Sequence, residues 1–490
     1  MYLGLSAGFH DAGATLINRT GDILFAGHAE RYSGIKNDAN LNQELIDDAL
    51  SYGQPNNVAW YENHWLKRTR QLYSGEWRKA FDLRTRPESL IKPFLGRIPV
   101  HSYSHHLCHA AAGFQTSPFD KAKVLVVDAI GEWDTVTVWE ANYENGIARY
   151  KKIWSQRYPH SIGLYYSAIT EYLGLKPMED EYILMGMAAY GKPYLTAFEE
   201  CADLWENAER IELRDNLHAG ISPDKFAGTG LTEFDIAAGA QAVVENILND
   251  LVSKWCGMGE DLVFMGGVAL NCVANHKIRG RVRNLWIMPN PGDCGSSMGA
   301  AALQYGRKLN WQGPYLGHDM GGEYPVDAVI GGLLTDKIVG VASGRAEFGP
   351  RALGTRSLLA DPRGEDIKDR VNAIKRRQEF RPFAPMVLEE HFTENFSNLA
   401  KDINPYMQST YVCKKPELYP AIVHKDGTSR VQTVGKNDHP GVRALLEKWY
   451  FMTGCPILLN TSLNIKGEPM VNNRADADRF EKRYGVKVCS

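Results

Sequence analysis

The sequence predicts an α/β protein of two or three domains. Three observations predict it: the chain has 490 residues, short apolar strands alternate with helices along it, and one pattern of three strands occurs twice. A chain of this length exceeds what one hydrophobic core usually organises, so we expect more than one domain. Strands that alternate with helices are typical of the α/β class.

The repeated pattern indicates an internal duplication. The chain opens with three predicted strands joined by turns rich in Gly and Asp, at 2–6, 14–18 and 23–28. The pattern returns in VLVVDAIGEWDTVTVWEANYENGIARYKKI (124–153), where a turn holds Asp128, Gly131 and Asp134. Duplicated meander-plus-helix halves whose Gly/Asp turns face each other are the plan of the actin and sugar-kinase superfamily. Asp134 either supports a residue of the metal site considered below or is a plain turn residue, and we favour the turn.

Two later segments complete the first predicted domain, residues 1–310. Helices are predicted at 162–173 and 232–255, and the buried strand DLVFMGG then runs into the helix GVALNCVANHKI. A strand, a Gly pair and a helix start form a phosphate-binding geometry, because free N–H groups at a helix start attract anions. An ordinary tight turn is the alternative. The strand NLWIMP, followed by the loop and helix NPGDCGSSMGAA, repeats the arrangement.

A stretch rich in Gly and Pro, residues 311–327, is predicted to be a linker. A second, smaller α/β domain is predicted at 328–490. Its strands are expected in KIVGVAS, SLLAD, STYVC and PILLN, and its helices at 365–377 and 439–452.

Composition excludes several classes of protein. The net charge of -3 excludes a polybasic protein. The 8 cysteines are scattered without a CxxC pair, which argues against a disulfide framework and a zinc ribbon and favours a reducing cytoplasm. No leader sequence and no apolar run long enough to cross a bilayer is seen, so we expect a cytoplasmic protein without a membrane partner.

The segment HHLCHAAAGF (105–114) carries three histidines in five positions. On a helix, His105 and His109 leave the same face, a spacing that suits two ligands of one metal. A helix end with surface histidines is the alternative, because two ligands do not make a site. Leu107 and Cys108 stand between them, where a zinc protease helix has its Glu, so a zinc protease is not expected.

Seven segments, in this order, resemble the O-carbamoyltransferases of the nodulation-factor and aminoglycoside type: HHLCHAAAGF, VLVVDAIGEWD, MGMAAYGKP, FMGGVALN, GRAEFGPRALGTRS, RPFAPMVLEE and LLNTSLNIKGEP. The resemblance implies a duplicated actin/sugar-kinase-like amino-terminal domain and a smaller α/β adenylate-forming carboxy-terminal domain. It also implies an enzyme that uses ATP and carbamoyl phosphate, with magnesium, to make carbamoyl-AMP. The carbamoyl group then moves to an alcohol.

The same resemblance implies a metal site in the first domain. Its ligands would be His105, His109, Asp128 and Asp293, a set of nitrogen and oxygen donors that suits iron(II) first, with manganese or zinc as alternatives. His106 is left without a role in the site, and we expect it to hydrogen-bond to neighbouring backbone.

Phosphate-handling residues are implied in the second domain. The run KRRQEFR offers Lys375, Arg377 and Arg381, which the resemblance pairs with Ser462 and Asn464. Cations spaced by two residues on an extended segment face one side and can grip a polyphosphate. A solvated basic run is the alternative. Further phosphate-binding candidates lie in the loop GRAEFGPRALGTRS: Arg345, Arg351 and Arg356.

The adenylate is expected to react in the first domain. The resemblance puts its nucleotide near Gly266, Gly267 and Asn271, with the metal close to its phosphate or carbonyl. His10 is the candidate general base, because imidazole titrates near neutrality, and Asp11 is its candidate orienting partner. The alternative is that His10 only caps its turn.

The acceptor is not specified by these motifs. Residues 64–97 hold nine basic and three acidic residues with five interleaved aromatics. Basic side chains track phosphates and aromatics stack on unpaired bases, so we predict a DNA acceptor, the hydroxymethyl group of 5-hydroxymethylcytosine or a related hydroxymethylpyrimidine. An amphipathic cap with its aromatics in the core is the alternative interpretation.

Other functions stay open from the sequence alone. A sugar or natural-product hydroxyl is the alternative acceptor. A tRNA threonylcarbamoyl transferase shares the actin-like half, but such proteins take their adenylate from a separate partner. A nucleotide-binding module without catalysis is the third alternative. A homodimer is compatible with the sequence.

Overall fold

The computed structural model describes residues 1–378, 381, 383–397 and 403–490. The chain divides into two compact units. Unit 1 comprises Met1–Ser33 and Asn37–Gln312, and unit 2 comprises Gly34–Lys36 and Gly313–Ser490. Each unit has its own sheets and its own buried apolar residues.

Unit 1 begins with a five-stranded sheet. Its strands, in chain order, are Tyr2–Ser6 (β1), Gly13–Ile17 (β2), Ile23–His28 (β3), Val58–Trp60 (β4) and Val100–Ser102 (β5). The spatial order is β3-β2-β1-β4-β5, in which the first three strands are antiparallel and β4 and β5 run parallel to β1.

A second sheet repeats this topology. The next strands of unit 1 are Lys121–Gly131 (β6), Asp134–Glu144 (β7), Ile147–Arg157 (β8), Trp205–Asn207 (β9), Glu212–Leu213 (β10), Asp261–Met265 (β11) and Asn284–Trp286 (β12). Strands β9 and β10 form a separate hairpin, and the main sheet has the order β8-β7-β6-β11-β12. It is again an antiparallel meander followed by two parallel strands. The predicted duplication is therefore confirmed, and unit 1 has the actin/sugar-kinase-like plan.

Twelve helices cover these sheets in unit 1. They are Ala29–Ser33 (α1), Gln43–Ser51 (α2), His64–Tyr73 (α3), Trp77–Ala80 (α4), Pro87–Leu95 (α5), His105–Thr116 (α6), Ile162–Tyr172 (α7), Glu181–Met187 (α8), Leu195–Ala202 (α9), Glu233–Trp255 (α10), Cys272–Arg279 (α11) and Ser296–Tyr305 (α12). Within the described ranges, no helix of either unit is both long and apolar enough to cross a membrane.

Helices α6 and α12 each end one half of the duplication, and they pack against one another. Gly299 permits this contact, because a Cβ atom there would lie 1.8 Å from the carbonyl oxygen of Cys108. Gly4 permits the packing of α12 on β1, since its Cβ would lie 1.9 Å from the carbonyl oxygen of Ser297. The start of α12 and the start of α6 are thereby held by backbone-to-backbone packing, which leaves little room for movement.

Unit 2 is a smaller α/β unit. Its strands are Tyr315–Asp319 (β13), Ile338–Ala342 (β14), Arg345–Glu347 (β15), Arg356–Ala360 (β16), Ala384–Leu388 (β17), Thr410–Val412 (β18), Thr428–Arg430 (β19), Gln432–Val434 (β20), Ile457–Ser462 (β21) and Val488–Cys489 (β22). Its helices are Val326–Thr335 (α13), Ile367–Lys375 (α14), Phe392–Asn395 (α15), Pro440–Thr453 (α16) and Arg474–Tyr484 (α17). The six-stranded sheet has the order β20-β17-β21-β16-β14-β22.

The segment 311–327 differs from the expected linker. It contains β13, which pairs with β15, and the Tyr315 hydroxyl donates to the carbonyl oxygen of Leu353 at 3.1 Å. Unit 2 therefore begins at Gly313 instead of residue 328. Gly and Pro content suggested a linker, but Leu316 and Gly317 of this strand are buried, and composition does not show that.

Arg356 stabilises unit 2 and is fully buried. Its five guanidinium N–H groups donate to backbone carbonyl oxygens at 2.9–3.1 Å, those of His318, Ser343, Gly344, Thr355 and Asn472. A guanidinium has five donors, so none remains for a phosphate. This arrangement favours a structural role for Arg356 over the predicted contact with phosphate.

Replacement of Arg356 by Ala is expected to lower the free energy of unfolding of unit 2 by about 4 kcal/mol, because several buried carbonyl groups lose their donor. Differential scanning calorimetry measures the change. Arg370→Ala is the control, because Arg370 is an exposed arginine of the same unit, and about 0.5 kcal/mol or less is expected there. Equal unfolding temperatures for both variants would contradict the structural role of Arg356.

Candidate functional site

Four titratable side chains of unit 1 converge in one buried place. His105 and His109 leave the first turns of α6, Asp128 lies on β6, and Asp293 precedes α12. One ligand atom of each lies within 4.8 Å of all the others. These are the four residues that the sequence analysis expects to hold a metal.

The donor atoms of this cluster have the spacing of metal ligands. His105 Nε2 lies 3.0 Å from His109 Nε2, 3.0 Å from Asp128 Oδ2 and 3.4 Å from Asp293 Oδ1. His109 Nε2 lies 3.5 Å from the same Asp128 oxygen and 3.4 Å from the same Asp293 oxygen. Donors that share one ion at bond lengths of about 2.1 Å lie about 3.0–3.4 Å apart. The residues present therefore fit a divalent metal.

The electrostatics of the cluster also fit a cation. Burial opposes ionisation of Asp128, yet hydrogen bonds with His105 and His109 hold the pKa of its carboxyl well below the usual value. Burial likewise opposes charge on both imidazoles, but the carboxylates of Asp293 and Asp128 raise their pKa values. Two buried carboxylates thus need about two compensating positive charges, which is the charge of one divalent ion. Two nitrogen and two oxygen donors suit iron(II), manganese or zinc.

His10 lies beside this cluster. Its Nε2 is 3.5 Å from Asp293 Oδ2, and its Nδ1 is 3.0 Å from Asp11 Oδ2, so Asp11 fixes the ring as expected. Burial lowers the pKa of His10, but the carboxylates of Asp293, Asp11 and Asp128 outweigh it and raise the pKa to about 9. Neutralising those carboxylates would lower that pKa again. The position of His10 allows it to reach a group bound at the cluster.

Glu132 is a residue of this region that the sequence analysis missed. It is buried in the β6–β7 turn with a φ of 60°, a backbone conformation that is unusual for Glu. Its Oε1 accepts the backbone N–H of Asn63, which caps α3, and at 3.2 Å that of His105, which begins α6. One carboxylate therefore joins the starts of two helices. Burial raises its pKa to about 7.

His106 points away from the cluster, as expected, but its partner differs from the expectation. Its Nδ1 lies 2.9 Å from the hydroxyl of Thr137 on β7 instead of a backbone group. Thr137 also accepts the indole N–H of Trp139 at 2.8 Å. Asp134 forms ion pairs with Lys152 and Arg157 on the same sheet, which agrees with the turn role favoured above.

The N–H groups of the Gly pair after β11 donate to acceptors of the protein and are not free to bind an anion. The N–H of Gly267 donates to Asp128 Oδ1 at 3.2 Å, and that of Gly266 donates to the carbonyl oxygen of Pro291 at 2.9 Å. The Asn271 side chain caps α11 and bonds to Gln241. Neither glycine therefore has the free N–H group that was expected. The N–H of Gly267 instead fixes the orientation of Asp128, a proposed metal ligand.

A second group of predicted residues converges in unit 2. The Lys375 ammonium donates to the carbonyl oxygen of Ser462 at 2.5 Å, to the Ser462 hydroxyl at 3.0 Å and to Asn464 Oδ1 at 2.6 Å. Lys375 ends α14, so it does not lie on an extended segment as expected. Its side chain is buried, and among the described residues no carboxylate pairs with it.

The predicted arginines differ in their surroundings. Burial and the charges of Arg377 and Arg381 hold the pKa of Lys375 well below its usual value, so these cations lie close together. Arg377 packs over the ring of Phe383 at 4.1 Å and donates to Asn372. Arg345 donates to backbone carbonyls of β13. Arg351 is half-buried in the loop before β16. Residues 379–380 of the basic run lie outside the described residues.

Replacement of Asp293 by Ala is expected to abolish metal-dependent stabilisation of unit 1, because one of the two charged ligands is removed. Thermal unfolding with added iron(II) or manganese(II) measures it, and the wild-type Tm should rise with metal. Asp134→Ala, in the turn beside the cluster, is the control and should keep the rise. A rise of equal size in Asp293→Ala would contradict the assignment.

Comparison with known proteins agrees with this arrangement. Residues 70–302 match the family described as Carbamoyltransferase N-terminus, and residues 331–489 match the family described as Carbamoyltransferase C-terminus. The chain is 31% identical to an uncharacterized protein of Synechocystis, over 97% of this chain and 93% of the relative. It is 31% identical to the nodulation protein NolNO of Sinorhizobium fredii, over 96% of this chain and 76% of the relative. An uncharacterized protein of Methanocaldococcus jannaschii is 30% identical, over 97% and 96%. The chain belongs to the carbamoyltransferase family and is an enzyme that transfers a carbamoyl group to a hydroxyl.

Proposed function

We propose that the enzyme makes carbamoyl-AMP from ATP and carbamoyl phosphate in unit 2 and transfers the carbamoyl group from it to a hydroxyl in unit 1. The observation that carries the proposal is the buried Lys375, whose ammonium has only neutral oxygen partners among the described residues and lies near two further cations. Such a group is stabilised by an anion, and a polyphosphate is an anion of suitable charge.

Activation is needed because a carbamate is a poor electrophile. Phosphate leaves carbamoyl phosphate as water adds, and an oxygen of the resulting carbamate attacks the α-phosphorus of ATP. The bond from that phosphorus to pyrophosphate breaks, and pyrophosphate departs with the electron pair. Lys375, Arg377 and Arg381 supply positive charge where negative charge develops, and Ser462 and Asn464 orient the lysine. Magnesium is expected with the ATP.

Transfer uses the cluster of unit 1. The acceptor oxygen attacks the carbonyl carbon of carbamoyl-AMP, AMP leaves with the electron pair, and the hydroxyl proton passes to a base. His10 is the proposed base because its ring, 25% exposed, lies beside Asp293 and is held by Asp11. His105, His109, Asp128 and Asp293 would hold a divalent cation, iron(II) in our proposal. Such an ion would balance the charge of the two carboxylates and would supply stabilisation of negative charge that develops on an oxygen.

Incubation with ATP, carbamoyl phosphate and magnesium is expected to yield AMP and pyrophosphate, and Lys375→Ala or Ser462→Ala should lower that yield by about 100-fold or more. Lys375→Ala removes the ammonium from the proposed polyphosphate site, and Ser462→Ala removes the hydroxyl that accepts a hydrogen bond from it. Chromatography of nucleotides measures AMP, and a coupled assay measures pyrophosphate. Release of ADP in place of AMP would contradict the proposed activation.

The matched control is Lys448→Ala, a lysine on the surface of α16, which should retain the yield. The reciprocal variant is His109→Ala, which should lose transfer while it still consumes ATP. Transfer from chemically made carbamoyl-AMP should survive in Lys375→Ala. Equal loss of both activities in both variants would contradict the division between the two units.

For the acceptor, we propose a hydroxymethylpyrimidine in DNA, such as 5-hydroxymethylcytosine. Residues 64–97, whose charge and aromatic content led to that prediction, lie in unit 1 with the cluster. A hydroxymethyl group on a base in a duplex is not reachable by a buried site, so the base must be unpaired or flipped.

Hydroxymethylated DNA incubated with enzyme, ATP and carbamoyl phosphate is expected to gain the mass of one carbamoyl group at the modified base. Mass spectrometry of the released nucleosides measures it, and unmodified DNA of the same sequence is the control. If the nucleosides stay unchanged while sugar or natural-product alcohols are carbamoylated, the acceptor belongs to that alternative class.

A further inference from the structure

Helices α3 to α5 carry four exposed aromatic side chains. Trp65 is 65% exposed, Tyr73 69%, Trp77 61% and Phe81 66%. Trp65 and Tyr73 lie on α3, Trp77 begins α4, and Phe81 follows the end of α4. We call these rings, with the exposed cations around them, the aromatic-basic surface; its cations are Arg78, Lys79, Arg84, Lys92 and Arg97.

This exposure decides between the two interpretations of residues 64–97. An amphipathic cap would bury its aromatics, but four of the five in this segment are more than 60% exposed, while Phe94 packs against the core of unit 1. Single exposed apolar side chains are common, whereas a group of large exposed rings marks a binding surface. The rings of this surface are therefore available to a ligand.

The charge of the surface is positive. Glu88 is the exposed acid of the segment, while Glu76 and Asp82 are half-buried and pair with Lys79 and Arg84. Lys79 and Arg84, the cations of these pairs, are themselves exposed, and ion pairs at the surface contribute little and are readily exchanged for another anion. Beneath the rings, the guanidinium groups of Arg68 and Arg86 lie 5.5 and 5.8 Å from the ring centroid of Trp65. These contacts hold the indole in one orientation.

The surface adjoins the metal-binding cluster. Lys67 Nζ on α3 lies 6.0 Å from the ring centroid of Phe9, and that ring lies 4.7 Å from the ring of His10. At the other end of α3, the ring of Tyr73 lies 5.3 Å from that of Trp133, the residue after Glu132. Phe9 is itself 50% exposed. A ligand spread over α3 would therefore reach the proposed base.

We propose that the aromatic-basic surface binds unpaired nucleotides that flank the modified base of the DNA acceptor, an inference that rests on the acceptor proposed above. The cations meet the phosphates, and the rings stack on bases. Stacking needs a free π-face, which a base pair in a duplex does not offer, so a single strand is favoured over a duplex. The same charge repels a polycationic acceptor.

Fluorescence anisotropy with a labelled single-stranded oligodeoxynucleotide tests the surface. The wild type should bind the single strand more tightly than the same sequence as a duplex, with an affinity that falls as salt is added. The pair Trp65→Ala, Tyr73→Ala should weaken binding by at least about tenfold, because stacking contributes that much for each base. The pair Arg78→Glu, Lys92→Glu should weaken binding and reduce its dependence on salt.

Phe451→Ala is the matched control, because Phe451 is 90% exposed on α16 of unit 2, and it should bind as the wild type does. Circular dichroism of each variant separates lost binding from lost folding. Unchanged affinity of the folded ring variants, or tighter binding of heparin than of DNA, overturns the proposal. So does a change of oligomeric state on ring removal, which would assign the surface to a second copy of the chain. Absence of AMP formation by the wild type would overturn only the adenylation chemistry, since binding is measured without ATP.

Discussion

The arrangement of unit 1 depends on one electrostatic constraint, the burial of two carboxylates in the same space. Asp128 and Asp293 are both nearly excluded from water, and two like charges there are tolerated only beside opposite charge. Asp128 lies on β6, Asp293 precedes α12, and the imidazoles of His105 and His109 lie on α6. These three elements must therefore be positioned accurately relative to one another. Close backbone packing at Gly299 achieves this for α12 and α6, and the N–H of Gly267 fixes the second oxygen of Asp128.

Glu132 extends that constraint to the neighbouring surface. Its carboxylate accepts the N–H at the start of α6, which carries the imidazoles, and the N–H of the residue that caps α3. Both are helix starts, where N–H groups have no partner within the helix and a negative charge is favourable. The unusual φ of Glu132 is stabilised by these two bonds. The start of α3, the helix that presents exposed rings, is thereby tied to the start of α6, the helix that presents the proposed metal ligands His105 and His109.

Periodicity and turn chemistry predicted the fold better than they predicted the role of single residues. The two meanders were predictable because Gly/Asp turns bound short apolar strands in both halves. The four residues of the cluster came from ordered motifs, since nothing in the spacing alone brings Asp293 to His105. Glu132 was missed because one Glu in a turn has no pattern around it. Arg356 was placed among the phosphate-binding candidates because an arginine that binds carbonyl groups and one that binds phosphate look alike in sequence. Its burial and its five carbonyl acceptors, which favour the structural role, are visible only in the structure.

The side chains around Lys375 in unit 2 and around Asp128 and Asp293 in unit 1 differ in charge. In the proposed reaction, this difference would favour ATP at the first site and the adenylate at the second. Among the described residues, the buried Lys375 ammonium has neutral oxygen acceptors and no carboxylate, which would favour a polyphosphate there. The carboxylates of Asp128 and Asp293 would only be balanced by the proposed divalent ion, so little excess positive charge would remain in unit 1 for a molecule as negative as ATP. Carbamoyl-AMP has lost the pyrophosphate and carries fewer negative charges than ATP, so the cluster of unit 1 tolerates it better. In the proposed reaction, the charge of each site would therefore favour the adenylate over ATP in unit 1, which would limit unproductive hydrolysis of ATP beside the proposed metal ligands.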